Sequence, residues 1–228
     1  MSSSRYHHGH LHEALVEAGV AAVREAGPDG VALRDLARRV GVSHNAAYRH
    51  FADREALMGE IAGAGMEALA DAGRSRLEAV EEPDPVRRAR LRLRELGRGY
   101  VAFARAEPGL FRVAFADHPA LDTAPDTAPD PDSTPAVDAT TEVREGEGPF
   151  GQLAACLDDL EAVGFLDPGS RPGAEYTCWA AVHGLAMLLV EGPLQRLPDA
   201  EALPIVESVL AALDRGLGAG TGPHPPLG

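Results

Sequence analysis

The stretch VALRDLARRVGVSHNAAYRHFADREAL, residues 31–57, decides how the rest of the chain is read. Leu33, Leu36, Ala37 and Val40 recur at i, i+3, i+4 and i+7, the period of an amphipathic helix. Gly41-Val42-Ser43 interrupts it: glycine supplies the positive φ of a sharp turn, and serine is a preferred N-cap. A second short helix then runs from Ser43 to near Phe51, and Asp53 caps the helix after it. Two short helices joined in this way predict a helix-turn-helix over about 32–51, whose second helix lies in the major groove of DNA. Val42, Ala47 and Phe51 suit the inner side of that helix, and Ala37 is small where the two helices approach. His44, Asn45, Tyr48 and Arg49 face outward, and such side chains reach base edges or phosphates. Packing beside Phe51 competes with that reading for Tyr48, a structural hydrogen bond for His50, and plain solvation for Asn45.

Working outward, Leu11, Leu15, Ala18 and Ala22 keep helical spacing until Gly27-Pro28-Asp29-Gly30 stops the helix. Ahead of them stand His7, His8, His10 and His12. An ordered helix start is the first reading of this cluster and an arm reaching phosphate the second. Metal binding comes last, because no Cys, Asp or Glu completes a ligand set. Downstream, a long helix is predicted from Arg54 towards Glu81, bent or closely packed at Gly59, Gly63 and Gly65. After the break Glu82-Pro83-Asp84-Pro85 come an Arg-rich helix over 86–106 and a short apolar helix from Pro108. Residues 117–148 hold five prolines, nine acids and one arginine, so they are expected to form a mobile loop. Helices follow over about 150–163, 172–190 and 200–217, then a frayed tail. No segment alternates with period two for long enough to be a strand, and the predicted fold class is all-α.

The net charge is −14, and its distribution matters more than its size. Residues 1–57 hold seven Arg and seven acids, whereas the rest holds 14 Arg against 28 acids. Six of the nine histidines also fall in the first 57 residues. One end is therefore available to phosphate and the other repels it. The cations of the 86–106 helix have acids nearby at Glu78, Glu81, Glu82 and Glu95, which predicts a salt-bridged face rather than a second nucleic-acid surface. Two cysteines, Cys156 and Cys178, suit small buried hydrophobes. No apolar run reaches the ~18 residues of a membrane span, and the N-terminus lacks the order of a signal peptide, so a cytoplasmic location is expected.

The run Val31–Leu57 resembles the signature of the TetR/AcrR family of transcriptional regulators, through its Gly-Val-Ser turn, its Tyr-Arg-His-Phe end and the Arg-Glu-Ala-Leu that follows. With helix one the resemblance covers residues 9–69. It implies DNA contacts from Arg34, from Ser43, His44, Asn45, Ala46, Tyr48 and Arg49, and phosphate contacts from His50 and Arg54. Ala32 departs from the pattern, standing where Thr or Ser usually caps helix two, and Arg54 stands where Lys is common. Trp179, His183 and Gly184, on one helix, resemble the motif of the family's WHG-type C-terminal domain, here 85–217. That likeness implies a ligand cavity lined by Phe103, Phe111, Phe115, Tyr176, Trp179 and Met187, with His183 as its polar group.

The resulting expectation is a homodimeric, ligand-responsive repressor of a palindromic double-stranded DNA operator. A small, largely apolar effector is its other partner; no cofactor, metal or membrane is expected. An all-helical hydrolase is the rival, but no nucleophile elbow, phosphate loop or metal motif supports it; an architectural helical protein is another. Leu203, Val206, Val209, Leu210 and Leu213 form an apolar stripe expected to enter the dimer seam, with Leu210 within it.

Overall fold

The computed structural model describes residues 4–116 and 148–218. Among these residues there is no strand, and the chain forms α1 (Ser4–Ala26), α2 (Leu33–Arg39), α3 (His44–Ala47), α4 (Arg54–Glu78), α5 (Pro85–Ala106), α6 (Pro108–Ala114), α7 (Pro149–Ala162), α8 (Ala174–Val190) and α9 (Asp199–Gly218). The all-α expectation is met. The segment read as a mobile loop, 117–148, lies outside the described residues except for Gly148. No helix among the described residues is long and apolar enough to cross a membrane.

The chain divides into two compact units. The first holds residues up to Glu67 and resumes at Glu107, so it contains α1 to α3, the start of α4, and α6. Its core is built from Leu15 and Val23 of α1, Leu33 and Leu36 of α2, Ala47, Phe51, Leu57 and Ile61, with Leu110 and Phe111 of α6. Each large side chain removed from water contributes roughly 1.5–3 kcal/mol. Gly19 lets α1 approach closely: a Cβ there would come within 2.5 Å of Ile61 Cδ1. Gly109 does the same for α6, where a Cβ would meet the Val23 carbonyl oxygen at 2.8 Å.

The second unit holds Ala68–Ala106 and the helices from Pro149 onward. α5 is its axis, packed against α7, α8 and α9. Apolar clusters form around Leu157, Leu160, Phe165 and Leu166, and around Val101, Leu185, Val206 and Leu210. Most arginines of α5 are ion-paired, and two of the acids come from α9 more than a hundred residues away, Asp214 and Glu207. Arg90 is buried, meets Asp214 at 2.6 Å through Nη2, and lies 4.7 Å above the Phe165 ring. Arg94 and Arg98 both grip Glu207, at 2.7 Å and 2.6 Å.

The expectation for Leu210 needs correction. Leu210 is buried inside the unit against Gly97, and the outer side of α9 carries Ser208, Ala212 and Gly216 instead. The apolar stripe is broad: Val206 and Leu210 enter the core, Val209 and Leu213 pack at its edge, and Leu203 is exposed. Gly184 is exposed, and a Cβ built there would meet nothing within 4 Å.

Candidate nucleic-acid interface and effector region

Local chemistry fixes the reading helix. Gly41 adopts φ 74°, which favours glycine, and Val42 N–H then donates back to the Ala37 carbonyl at 2.9 Å. Ser43 is extended, and its Oγ accepts from the Ala46 N–H at 3.2 Å, satisfying one of the first donors of α3. Regular helix ends at Ala47, earlier than expected. Backbone bonds from Tyr48 N–H to the His44 carbonyl and from Phe51 N–H to the Ala47 carbonyl carry the turn onward. Ala47 and Phe51 are buried and hold this segment down.

Around that anchor, Arg34, Ser43, His44, Asn45, Tyr48 and Arg49 are exposed, while Ala46 and His50 are half-buried. Tyr48 projects outward, 45% exposed, with its ring 4.4 Å from that of His44. Phe51 is instead covered by His12 of α1, stacked at 4.7 Å, and His12 lies 3.7 Å from Glu60. His10 and His12 therefore belong to an ordered helix; among the described residues no cluster of three or more His, Cys, Asp or Glu could hold a metal ion.

Arg54 has a different environment from its neighbours in the expected contact set. Its Nε donates to the Val31 carbonyl at 3.0 Å and Nη2 to the Pro28 carbonyl at 2.6 Å, so it clamps the turn before α2 to the start of α4. Arg24, Arg38 and Arg39 pair with Glu107, Asp35 and Glu25. Arg34 and Arg49 have no carboxylate within ion-pair distance among the described residues.

In the second unit Tyr176, Trp179 and His183 come together, and the structure adds two residues that sequence reasoning missed. Phe150 of α7 lies 5.8 Å from Tyr176 and 5.9 Å, edge-on, from Trp179. Tyr100 of α5 places its hydroxyl 2.8 Å from His183 Nδ1. Burial pushes the Tyr100 hydroxyl pKa up and the His183 imidazole pKa down, so the pair is neutral near pH 7. The only advance signal for these two was their aromatic type. Phe103 is buried in the same unit, and Met187 is half-buried one turn beyond His183. Phe111 and Phe115, grouped with them on the sequence, belong to the first unit, where their rings lie 4.9 Å apart.

A helix-turn-helix unit of this build, joined to a larger helical unit, defines a DNA-binding transcriptional regulator. A model of bacterial regulatory proteins of the tetR family matches residues 15–61, and one of the Tetracyclin repressor-like C-terminal domain matches residues 93–213. The chain belongs to the TetR family of transcriptional regulators. Among solved structures it is similar to a protein of unknown function from Rhodococcus sp. RHA1, at 28% identity and TM-score 0.67, covering 91% of this chain and 95% of that one. It shares the fold of a TetR variant from Acinetobacter baumannii AYE in complex with minocycline, at 18% identity and TM-score 0.58, covering 92% and 97%. It also shares the fold of the TetR-family regulator PfmR from Thermus thermophilus, at 19% identity and TM-score 0.51, covering 89% and 96%. No curated protein matches the chain.

Proposed function

We propose that the protein is a ligand-responsive repressor, acting in the cytoplasm as a homodimer on a palindromic operator. The observation that carries this reading is the exposed set around α3. Arg49 and Asn45 are exposed and carry the donors that read base edges, Ala46 offers a methyl to thymine, and Arg34, Ser43, His44 and Tyr48 reach phosphate or bases from the rim. His50 is a further phosphate contact from its half-buried position, and Arg54 acts chiefly by holding the reader's frame.

Dimerisation is supported by an open groove of about 500 Å³ between α8 and α9, lined by Gly173, Thr177, Ala181, Val209, Ala212 and Gly216. Such small residues allow two helix pairs to meet across a two-fold axis as a four-helix seam. That symmetry presents two α3 helices to successive major grooves.

The effector site centres on Phe150, Tyr176, Trp179 and the Tyr100–His183 pair. An aromatic surface with one neutral polar pair suits a largely apolar effector, and the minocycline complex of a fold relative is consistent with a small molecule in that role. An effector that favours a conformer with the wrong spacing between the two α3 helices would lower DNA affinity by its differential binding.

Salt-titrated binding to the duplex upstream of the protein's own coding sequence tests the reading. A steep salt dependence with preference over a scrambled duplex is expected. Equal affinity for both duplexes would point to an architectural protein instead.

A further inference from the structure

The aromatic surface of the second unit is open on one side. Phe150, Tyr176, Trp179 and His183 form one continuous layer of rings, yet Tyr176 is 48% and Trp179 37% exposed. A site for a small apolar ligand ordinarily encloses most of it. The open side is flanked by a patterned face of α8. Tyr176, Ala180, Gly184 and Leu188 follow one another at intervals of four, all of them exposed, on a single ridge of the helix. A Cβ built at Gly184 would meet nothing within 4 Å, so the middle of this ridge is low while its two ends stand high. Glu175 is the only Asp, Glu, Lys or Arg of α8, and it is buried against Arg171 at 2.7 Å. In a chain of net charge −14, an uncharged ridge is a face across which a second copy can approach without repulsion.

The ridge reads large, small, small, large, and it is symmetric about Val182. Rows of this spacing on two helices interdigitate at a crossing angle of about −50°, close at the crossing and diverging towards the ends. Ala180 and Gly184 permit the close approach, and Tyr176 and Leu188 fill the divergence. Antiparallel two-fold pairing sets one tyrosine against one leucine at both ends, filling them equally. Parallel pairing would set two tyrosines at one end and two leucines at the other. We propose that α8 pairs with its two-fold mate, antiparallel about Val182, so that Leu188 of the partner subunit covers Tyr176 and completes the effector site. The inference rests on the homodimer and the effector region proposed above. Each effector then touches both subunits, and a lone subunit holds only an open surface. A ligand held by both copies stabilises their association, so effector binding and dimerisation are linked.

The test uses full-length protein, whose oligomeric state is first measured by light scattering; a dimer is expected. Tyr176→Cys, Leu188→Cys and the double variant are then treated with a short bismaleimide. The double variant should give covalent dimer in high yield. Each single variant should give little, as should the wild type, whose Cys156 and Cys178 are buried. In a second measurement the neutral apolar probe N-phenyl-1-naphthylamine is titrated against wild type and Leu188→Gln, with quenching of Trp179, the one tryptophan of the chain, reporting binding. Leu188 is exposed within a single chain, so its replacement leaves the fold intact. Probe affinity is nevertheless expected to fall about fivefold or more, because part of an apolar wall is lost. A dimer whose Tyr176→Cys variant cross-links by itself, or whose double variant does not, overturns the proposal and leaves the dimer in place. Equal probe affinity in wild type and Leu188→Gln does the same. A monomeric wild type overturns the dimer reading on which the proposal rests, and a probe that leaves Trp179 unquenched overturns the effector region.

Discussion

Leu210 of α9 is seated against Gly97 of α5: a Cβ at position 97 would come within 2.5 Å of Leu210 Cδ2. The glycine lets the two helices meet, and the leucine fills the gap that it leaves. Gly97→Ala is therefore expected to destabilise the protein by about 1–3 kcal/mol through overpacking, and Leu210→Ala by about 2–5 kcal/mol through the cavity it opens. Urea denaturation followed by circular dichroism measures both. A Gly97→Ala protein as stable as the wild type would show that Leu210 can move aside freely.

Because Leu210 faces inward, the dimer seam is better probed at exposed Ala212, on the groove between α8 and α9. Ala212→Asp would bury an unpaired charge between two copies, which is strongly unfavourable, yet leave each subunit's core untouched. Size-exclusion chromatography with light scattering should find a folded monomer with greatly weakened operator binding. A stable Ala212→Asp dimer would move the seam to another face.

Arg49 and Arg54 should separate by mechanism. Arg49→Ala is expected to weaken operator binding by about 1–3 kcal/mol and to relax preference at one base position, with little change in stability. Arg54→Ala removes the donor to two backbone carbonyls, so it should lower the melting temperature as well as the affinity. Binding at matched salt and thermal melts of the two variants decide the matter. Unchanged stability in Arg54→Ala would return that guanidinium to a direct phosphate role.

Acid stability follows from Glu207. The Arg98 guanidinium, helped by Arg94, pulls its carboxyl from the ordinary 4.5 down to about 2. A carboxyl depressed on folding contributes stability that is present above its unfolded pKa and is lost as pH falls towards about 2. Denaturation between about pH 5 and pH 2 should therefore show a smaller loss of stability in Glu207→Gln than in the wild type. Matching slopes in the two proteins would show that the pair is solvent-screened to insignificance.

What the sequence by itself determined lies within a few residues of chain. The turn at Gly41, the Ser43 cap, the outward Arg49 and the burial of Ala47 and Phe51 all depend on local backbone geometry and on spacings of three or four, so residues 31–57 state them directly. Tertiary structure decided everything that required choosing a partner at a distance. Glu207 and Asp214 receive Arg90, Arg94 and Arg98, while Glu82 and Glu95, near in sequence, hold Arg87 and share Arg98; Tyr100 and Phe150 join Trp179 and His183; Arg54 turns back to Val31 and Pro28. Helical periodicity marks a side chain's face, but the apolar stripe of α9 is broad, and only packing against Gly97 settled which side of it Leu210 would occupy. The physical reason is that a local bond has one available partner, whereas a distant contact is selected among many by how whole helices fit together.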